Sequence, residues 1–198
     1  MKFSVLIFLF FSTAVLSQEE VLFVGNTAHI CIDSLLLSVS TSKELPEDLN
    51  PYGVIFIFSN ARSVLSGDDQ IRLLDFLKKG NGLYLGSENW PLQAESNQLT
   101  EALYTKRSWG NFDGGSATSD STGLLKDIDT FPAGNTTVAF PLDYRLKVEA
   151  WVNDEPLILS GQVYEGRLII DGGYSRFYCS ALKEENKRIM KCFVDFLR

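Results

Sequence analysis

The chain has 198 residues, 45% hydrophobic and 12% aromatic, which is enough apolar side chain for the core of one domain. Eighteen lysines and arginines against 25 aspartates and glutamates leave a net charge of −7, which argues against nucleic acid, whose binding rests on clustered cations. Three cysteines without a Cys-x-x-Cys pair, and a single histidine, supply no ligand set for a structural zinc.

In chain order, Lys2 precedes an apolar run from Phe3 to Leu16, and Val15 and Ser17 stand at the small-residue positions of a cleavage site. The run is about 14 residues, short of the roughly 20 that a membrane span needs. The sequence therefore predicts a signal peptide over 1–17, cleaved after Ser17, and a secreted or periplasmic protein. Residues 18–198 read as one domain, with no transmembrane segment in the mature chain. Cys31, Cys179 and Cys192 allow one bridge with three candidate pairings, or three free thiols.

Val21–Gly25 ("VLFVG") and Gly53–Ser59 ("GVIFIFS") are continuous apolar runs, the pattern of strands covered on both faces. Ser66 and Asp69 form a capping-box signature ahead of a helix from about Gly67 to Lys79. Ile71, Leu74 and Leu77 recur on one face of it, with Leu73 and Phe76 beside them, and Gly80 stops it. Gly82–Gly86 ("GLYLG") is the next strand, so the unit reads as βαβ with parallel strands. Ser108–Gly134 turns to Gly, Ser, Thr and Asp and reads as a long surface excursion. Within it, Asp113–Gly123 lacks the acid spacing of a calcium loop. Asn135-Thr136-Thr137 fits a glycosylation sequon. Short strands are expected at Thr136–Phe140, Arg145–Trp151 and Glu155–Asp171, the last with a turn at Tyr164-Glu165-Gly166. A final helix is expected from about Ala181 to Leu197, with Ile189, Phe193, Phe196 and Leu197 as its apolar stripe.

In an open parallel sheet, ligands bind beyond the carboxyl ends of the strands. That rule gathers Asn26, Asn60, Arg62, Ser87, Glu88, Asn89, Trp90 and Asp171, with Tyr174 and Arg176 close behind. Ser87 on a strand-to-helix turn can be a nucleophile or a helix N-cap. Glu88, Glu95 and Asp171 can be a carboxylate pair, cation ligands or solvated loop acids. Trp90 among amides and acids suits a sugar platform, or simple packing.

The stretch "YGVIFIFSNARSVLSGDDQIRLLDFLKKGNGLYLGSEN", followed later by "YEGRLIIDGGYSRFY" and a terminal helix, resembles the class I glutamine-amidotransferase-like superfamily. It is similar to the branches without an amidotransferase site: trehalose-utilisation-type domains, the amino-terminal domain of an intraflagellar-transport protein, and gliding-motility accessory proteins. The resemblance implies a flavodoxin-like three-layer α/β sandwich with a mostly parallel central sheet and an antiparallel addition near the C-terminus. The helix after the first strand is short or absent in this sequence. Catalytic members carry a cysteine about where Ser87 stands, activated by a histidine and an acid late in the chain. Here the only histidine is His29, and the GxSxG elbow of α/β-hydrolases is missing, with Leu85 and Asn89 in the glycine places.

The expectation is a non-enzymatic binding or interaction module without a cofactor or metal. Its ligand is a small molecule, glycan or protein, bound by Asn60, Arg62, Ser87, Glu88, Asn89, Trp90, Asp171 and Arg176. The alternative is a carboxylate- or metal-dependent hydrolase, possibly acting on carbohydrate, through Ser87, Glu88 and Asp171.

Overall fold

A computed structural model describes residues 20–35, 38–61, 65–104 and 106–198; the expected signal peptide and Arg62 lie outside these residues. The chain opens with β1 (Glu20–Gly25), a 3-10 turn (Ile32–Leu35) in place of a crossover helix, and β2 (Val39–Ser42). The expected βαβ unit follows as β3 (Tyr52–Phe58), α1 (Gly67–Lys78) and β4 (Gly82–Gly86), with the two strands parallel and Val54 level with Gly82. Both halves of the capping box form: Ser66 Oγ accepts the Asp69 N–H at 3.1 Å, and Asp69 Oδ2 accepts the Ser66 N–H at 3.0 Å. Such a cap stabilises a helix by about 1 kcal/mol.

Next come α2 (Ala94–Tyr104), β5 (Trp109–Asp113), β6 (Ser116–Ser119), β7 (Thr130–Pro132) and β8 (Thr136–Ala139). β9 (Lys147–Val152), β10 (Glu155–Val163), β11 (Gly166–Asp171), a 3-10 turn (Tyr174–Phe177) and α3 (Glu184–Leu197) complete the described chain.

The class is mixed α/β. One sheet of nine strands runs β2-β1-β3-β4-β11-β10-β9-β6-β7, and β5 pairs with β8 in a small antiparallel sheet. The first five strands of that order are mutually parallel. From β11 onward each pairing is antiparallel. Successive side chains of a strand face opposite ways, so a sheet covered on both sides needs an unbroken apolar run. Phe23, Phe56, Phe58, Tyr84 and Ile169 pack on one face with Ile189, Phe193 and Leu197 of α3. Leu22, Ile55, Ile57, Leu83 and Ile170 pack on the other with Leu73, Phe76 and Leu77 of α1 and Leu99 of α2. Each large side chain buried this way contributes about 1.5–3 kcal/mol.

Three expectations change. Ser108–Gly134 is not only a surface excursion: it carries β5, β6 and β7, and Ala117 and Phe131 are buried. β6 owes its strand form to the hydrogen-bonding edge of β9, where Thr118 pairs with Trp151 and Ser119 with Ala150, not to an apolar pattern. α3 begins at Glu184, three residues later than expected, because Ala181 and Leu182 donate their N–H groups to the Tyr178 carbonyl in a turn. Ser87 is not a helix N-cap, since α2 starts only at Ala94.

Candidate functional site

The carboxyl ends of three parallel strands lie level, with Phe58 beside Gly86 and Gly86 beside Asp171. The residues that follow therefore meet. Ser59 donates its N–H to the Gly86 carbonyl at 2.9 Å, and Ser87 donates its own to the Asp171 carbonyl at 2.7 Å. After Asp171 the chain turns through Gly172 and Gly173 under the β7–β8 connection. A Cβ at Gly172 would overlap the Val138 carbonyl oxygen, and one at Gly173 the Ala133 carbonyl oxygen. The double glycine is what allows this close approach.

Asp171 and Arg176 form an ion pair at 2.6 Å, and neither side chain reaches solvent. Asp171 Oδ2 also accepts the Tyr84 hydroxyl at 2.7 Å, and Oδ1 accepts the Gly173 N–H at 3.0 Å. Arg176 donates from Nε at 3.0 Å and from Nη2 at 2.7 Å to the Ala133 carbonyl. A buried pair is tolerated when its remaining donors and acceptors are matched in this way. Burial first, then the charge of Asp171, pushes the Tyr84 phenol well above its ordinary pKa, so it stays a donor.

Glu88 lies beside this pair and is 1% exposed. Its Oε1 accepts the Ser175 N–H at 2.7 Å, and its Oε2 accepts the Thr136 hydroxyl. Burial pushes its carboxyl up to about 7, against the pull of the Ser175 and Thr136 bonds and of Arg176. Ser87 Oγ bonds to Ser96 Oγ on the first turn of α2, and Ser96 in turn donates to the Gln93 carbonyl at 3.1 Å. The Ser87 hydroxyl therefore meets another hydroxyl, not a base. His29 lies against Tyr178, with ring centroids 5.5 Å apart and the planes tilted by 58°.

Toward the rim, Tyr174 donates to the Ser59 carbonyl at 2.7 Å and accepts from Asn26 Nδ2 at 2.9 Å. The Asn60 N–H donates to Glu95 Oε2 at 2.8 Å. Asn60 and Asn89 are half-buried, and Trp90, joined to Pro91 by a cis peptide, is 76% exposed. Close by in the fold, an open depression of about 430 Å³ is lined by Ala28, His29, Tyr178, Cys179 and Ser180.

Of the residues that sequence reasoning gathered, Ser87, Glu88, Asp171 and Arg176 come together inside the protein. Asn60, Asn89 and Trp90 stand outside them. Tyr84, Ser96, Thr136 and Ser175, which complete the network, were not anticipated. The double glycine after Asp171 was the available signal that the chain there is packed tightly. Among the described residues, no group of three or more His, Cys, Asp and Glu side chains could hold a metal ion.

No family model and no curated protein sequence matches the chain. Solved structures do. A protein described as cytoplasmic, STM1381 from Salmonella typhimurium LT2, superposes with TM-score 0.69 at 14% identity, over 90% of this chain and all of that one. The mmIFT52 N-terminal domain gives TM-score 0.69 at 12% identity, over 90% of this chain and 96% of that one. A ThuA-like protein from Bacteroides uniformis ATCC 8492 gives 0.62 at 8% identity, over 90% of each chain. At such identities the likeness is one of fold. It includes the trehalose-utilisation-type and intraflagellar-transport-type domains that the sequence resembles. No described helix is long and apolar enough to cross a membrane.

Proposed function

We propose that the chain is an exported, non-enzymatic binding or interaction module with a flavodoxin-like three-layer arrangement, related to glutamine-amidotransferase-like domains. One observation carries this reading: the polar groups at the strand ends are already bonded to each other. Asp171 is held by Arg176, Tyr84 and Gly173, Glu88 by Ser175 and Thr136, and Ser87 by Ser96. A nucleophile needs a base within reach, and Ser87 meets a hydroxyl instead. The groups that face outward, Trp90, Asn89 and Asn60, can contact a partner or ligand but can activate nothing.

Ser87 should take no covalent adduct from a fluorophosphonate probe. Trp90→Ala should leave the melting temperature unchanged while weakening capture of a glycan or protein ligand about tenfold or more, as loss of an exposed aromatic anchor does. A Ser87 adduct, read by peptide mass spectrometry, would refute the non-enzymatic assignment.

A second reading is supported by Glu88. A carboxyl raised to about 7 is what a general acid requires. Glu88 would then protonate the leaving oxygen of a glycosidic bond, once the chain around it opened to admit substrate. Turnover of aryl glycosides by the wild type, lost in Glu88→Gln, favours that reading; no turnover in either favours the module.

Export is tested separately. Amino-terminal sequencing of protein collected outside the cytoplasm should begin at Gln18. An intact Met1 terminus in a membrane fraction would mean an anchor.

A further inference from the structure

Two segments far apart in the chain meet beside the depression lined by His29 and Tyr178. Ile30 and Tyr178 form an antiparallel bridge. It is closed on both sides by backbone bonds, Cys31 N–H to the Phe177 carbonyl and Cys179 N–H to the His29 carbonyl, each 3.0 Å. Ile30 and Tyr178 pack against the core, while Cys31 is left half-buried and Cys179 exposed. Both cysteines are free thiols. They are diagonal neighbours across the bridge, a relation that places Cα atoms roughly 7–8 Å apart and Cβ atoms somewhat closer, just beyond the usual disulfide span, so closure takes a small shift of the two segments. We propose that Cys31 and Cys179 are a redox pair that closes into a disulfide, pinning the segment after β1 to the segment after β11 and fixing one wall of the depression.

The chemistry of the two thiols fits. Each thiol is the largest influence on the other: Cys179 lowers the Cys31 pKa, and Cys31 raises that of Cys179. Ser34 Oγ, 3.3 Å from the Cys31 sulfur, adds to the lowering. Cys31 is therefore the better thiolate and the attacking sulfur. With an oxidised disulfide compound RSSR, the Cys31 thiolate attacks one sulfur, breaks the S–S bond and releases RS⁻, leaving a mixed disulfide on Cys31. The Cys179 thiolate then attacks the Cys31 sulfur and releases the second RS⁻. Two thiols are oxidised, one RSSR is reduced to two RSH, and no other reactant is needed. Cys192 is the wrong partner: it sits on α3 against the core, where burial pushes its thiol up. Of the three pairings that composition allows, one joins residues on the two segments of this bridge.

The test uses the full chain and glutathione disulfide as the oxidant, followed by alkylation and peptide mapping without reductant. The expected result is a Cys31–Cys179 linked peptide with Cys192 alkylated. The oxidised protein should melt roughly 5–15 °C above the reduced one, as for a crosslink closing a long loop. Cys179→Ser should halt the reaction at a glutathione adduct on Cys31 and remove the melting difference, whereas Cys192→Ser should keep both link and difference. Alkylation of Cys31 and Cys179 after oxidation, a link through Cys192, or a melting difference that survives Cys179→Ser would each overturn the proposal.

Discussion

Arg176→Met should destabilise the protein by about 3–5 kcal/mol, the cost of stripping one partner from a buried ion pair. The guanidinium makes three bonds with no surface open to solvent: to Asp171 Oδ2 at 2.6 Å and twice to the Ala133 carbonyl. It also lies over the rings of Phe131 and Phe177, with centroids 5.3 and 5.5 Å away. Methionine can fill that volume and keep contact with the rings, but it leaves the buried Asp171 carboxyl with only Tyr84 and Gly173 as donors, and it strands the Ala133 carbonyl. Lysine should fail as well, because one ammonium cannot reproduce a planar fork aimed at two acceptors. Urea unfolding at pH 7 measures the effect. The double variant Arg176→Met with Asp171→Asn should be less unstable than the sum of the singles by more than about 1 kcal/mol, since both act on one contact. If Arg176→Met lies within about 1 kcal/mol of the wild type (roughly a fifteenth to a fifth of typical stability), the pair is not what holds the strand ends together.

Glu88→Gln should stabilise the protein above neutral pH by about 1–3 kcal/mol and flatten its stability between pH 5 and 7. Burial raises the Glu88 carboxyl from 4.5 to about 7. Between those values the native state keeps a proton that the unfolded chain gives up. The favourable contribution is therefore fully present below about pH 4.5, is lost as pH rises through 7, and changes no further above it. Glutamine imitates the protonated form. Its oxygen can accept the Ser175 N–H, and its amide can donate to the Thr136 hydroxyl, so both existing partners are kept. Thermal melts of both proteins from pH 4 to 8 give the comparison. Parallel curves across that range would mean that Glu88 does not titrate near neutrality. A catalytic Glu88 would lose activity in the same variant that gains stability, so the two measurements separate the module from the hydrolase.

Much of the fold was legible because it is locally encoded. The run from Tyr52 to Phe58, the capping box at Ser66 and Asp69, the apolar face of α1 and the run from Gly82 to Gly86 each declare themselves within a few residues, and together they require a parallel pair. The hairpin of β10 and β11 was equally plain, because Tyr164 and Glu165 stand between two apolar runs, and Tyr164 adopts a positive φ of 55° at the turn. β6 and β7 were not legible. Their residues carry no apolar run, and a strand of that composition exists only because a neighbouring edge offers hydrogen bonds.

The candidate site divides in the same way. The rule that ligands gather at the carboxyl ends of parallel strands was enough to group Ser87, Glu88, Asp171 and Arg176, though it also drew in Asn60, Asn89 and Trp90, which stand apart from them. What those groups do there depends on partners that no local pattern reveals. Thr136 is 48 residues from Glu88 and Ser175 is 87. Tyr84 lies within a strand that reads as wholly apolar, yet its hydroxyl reaches Asp171. The lone early histidine already spoke against an activated Ser87. That the serine meets Ser96, and that Cys31 lies across a bridge from Cys179, are facts of packing between distant segments. Periodicity, caps and turn residues act over one or two turns of chain and are written into the sequence itself. Burial, pairing and the pKa of a buried acid arise only when the folded chain excludes water from groups that the sequence keeps apart.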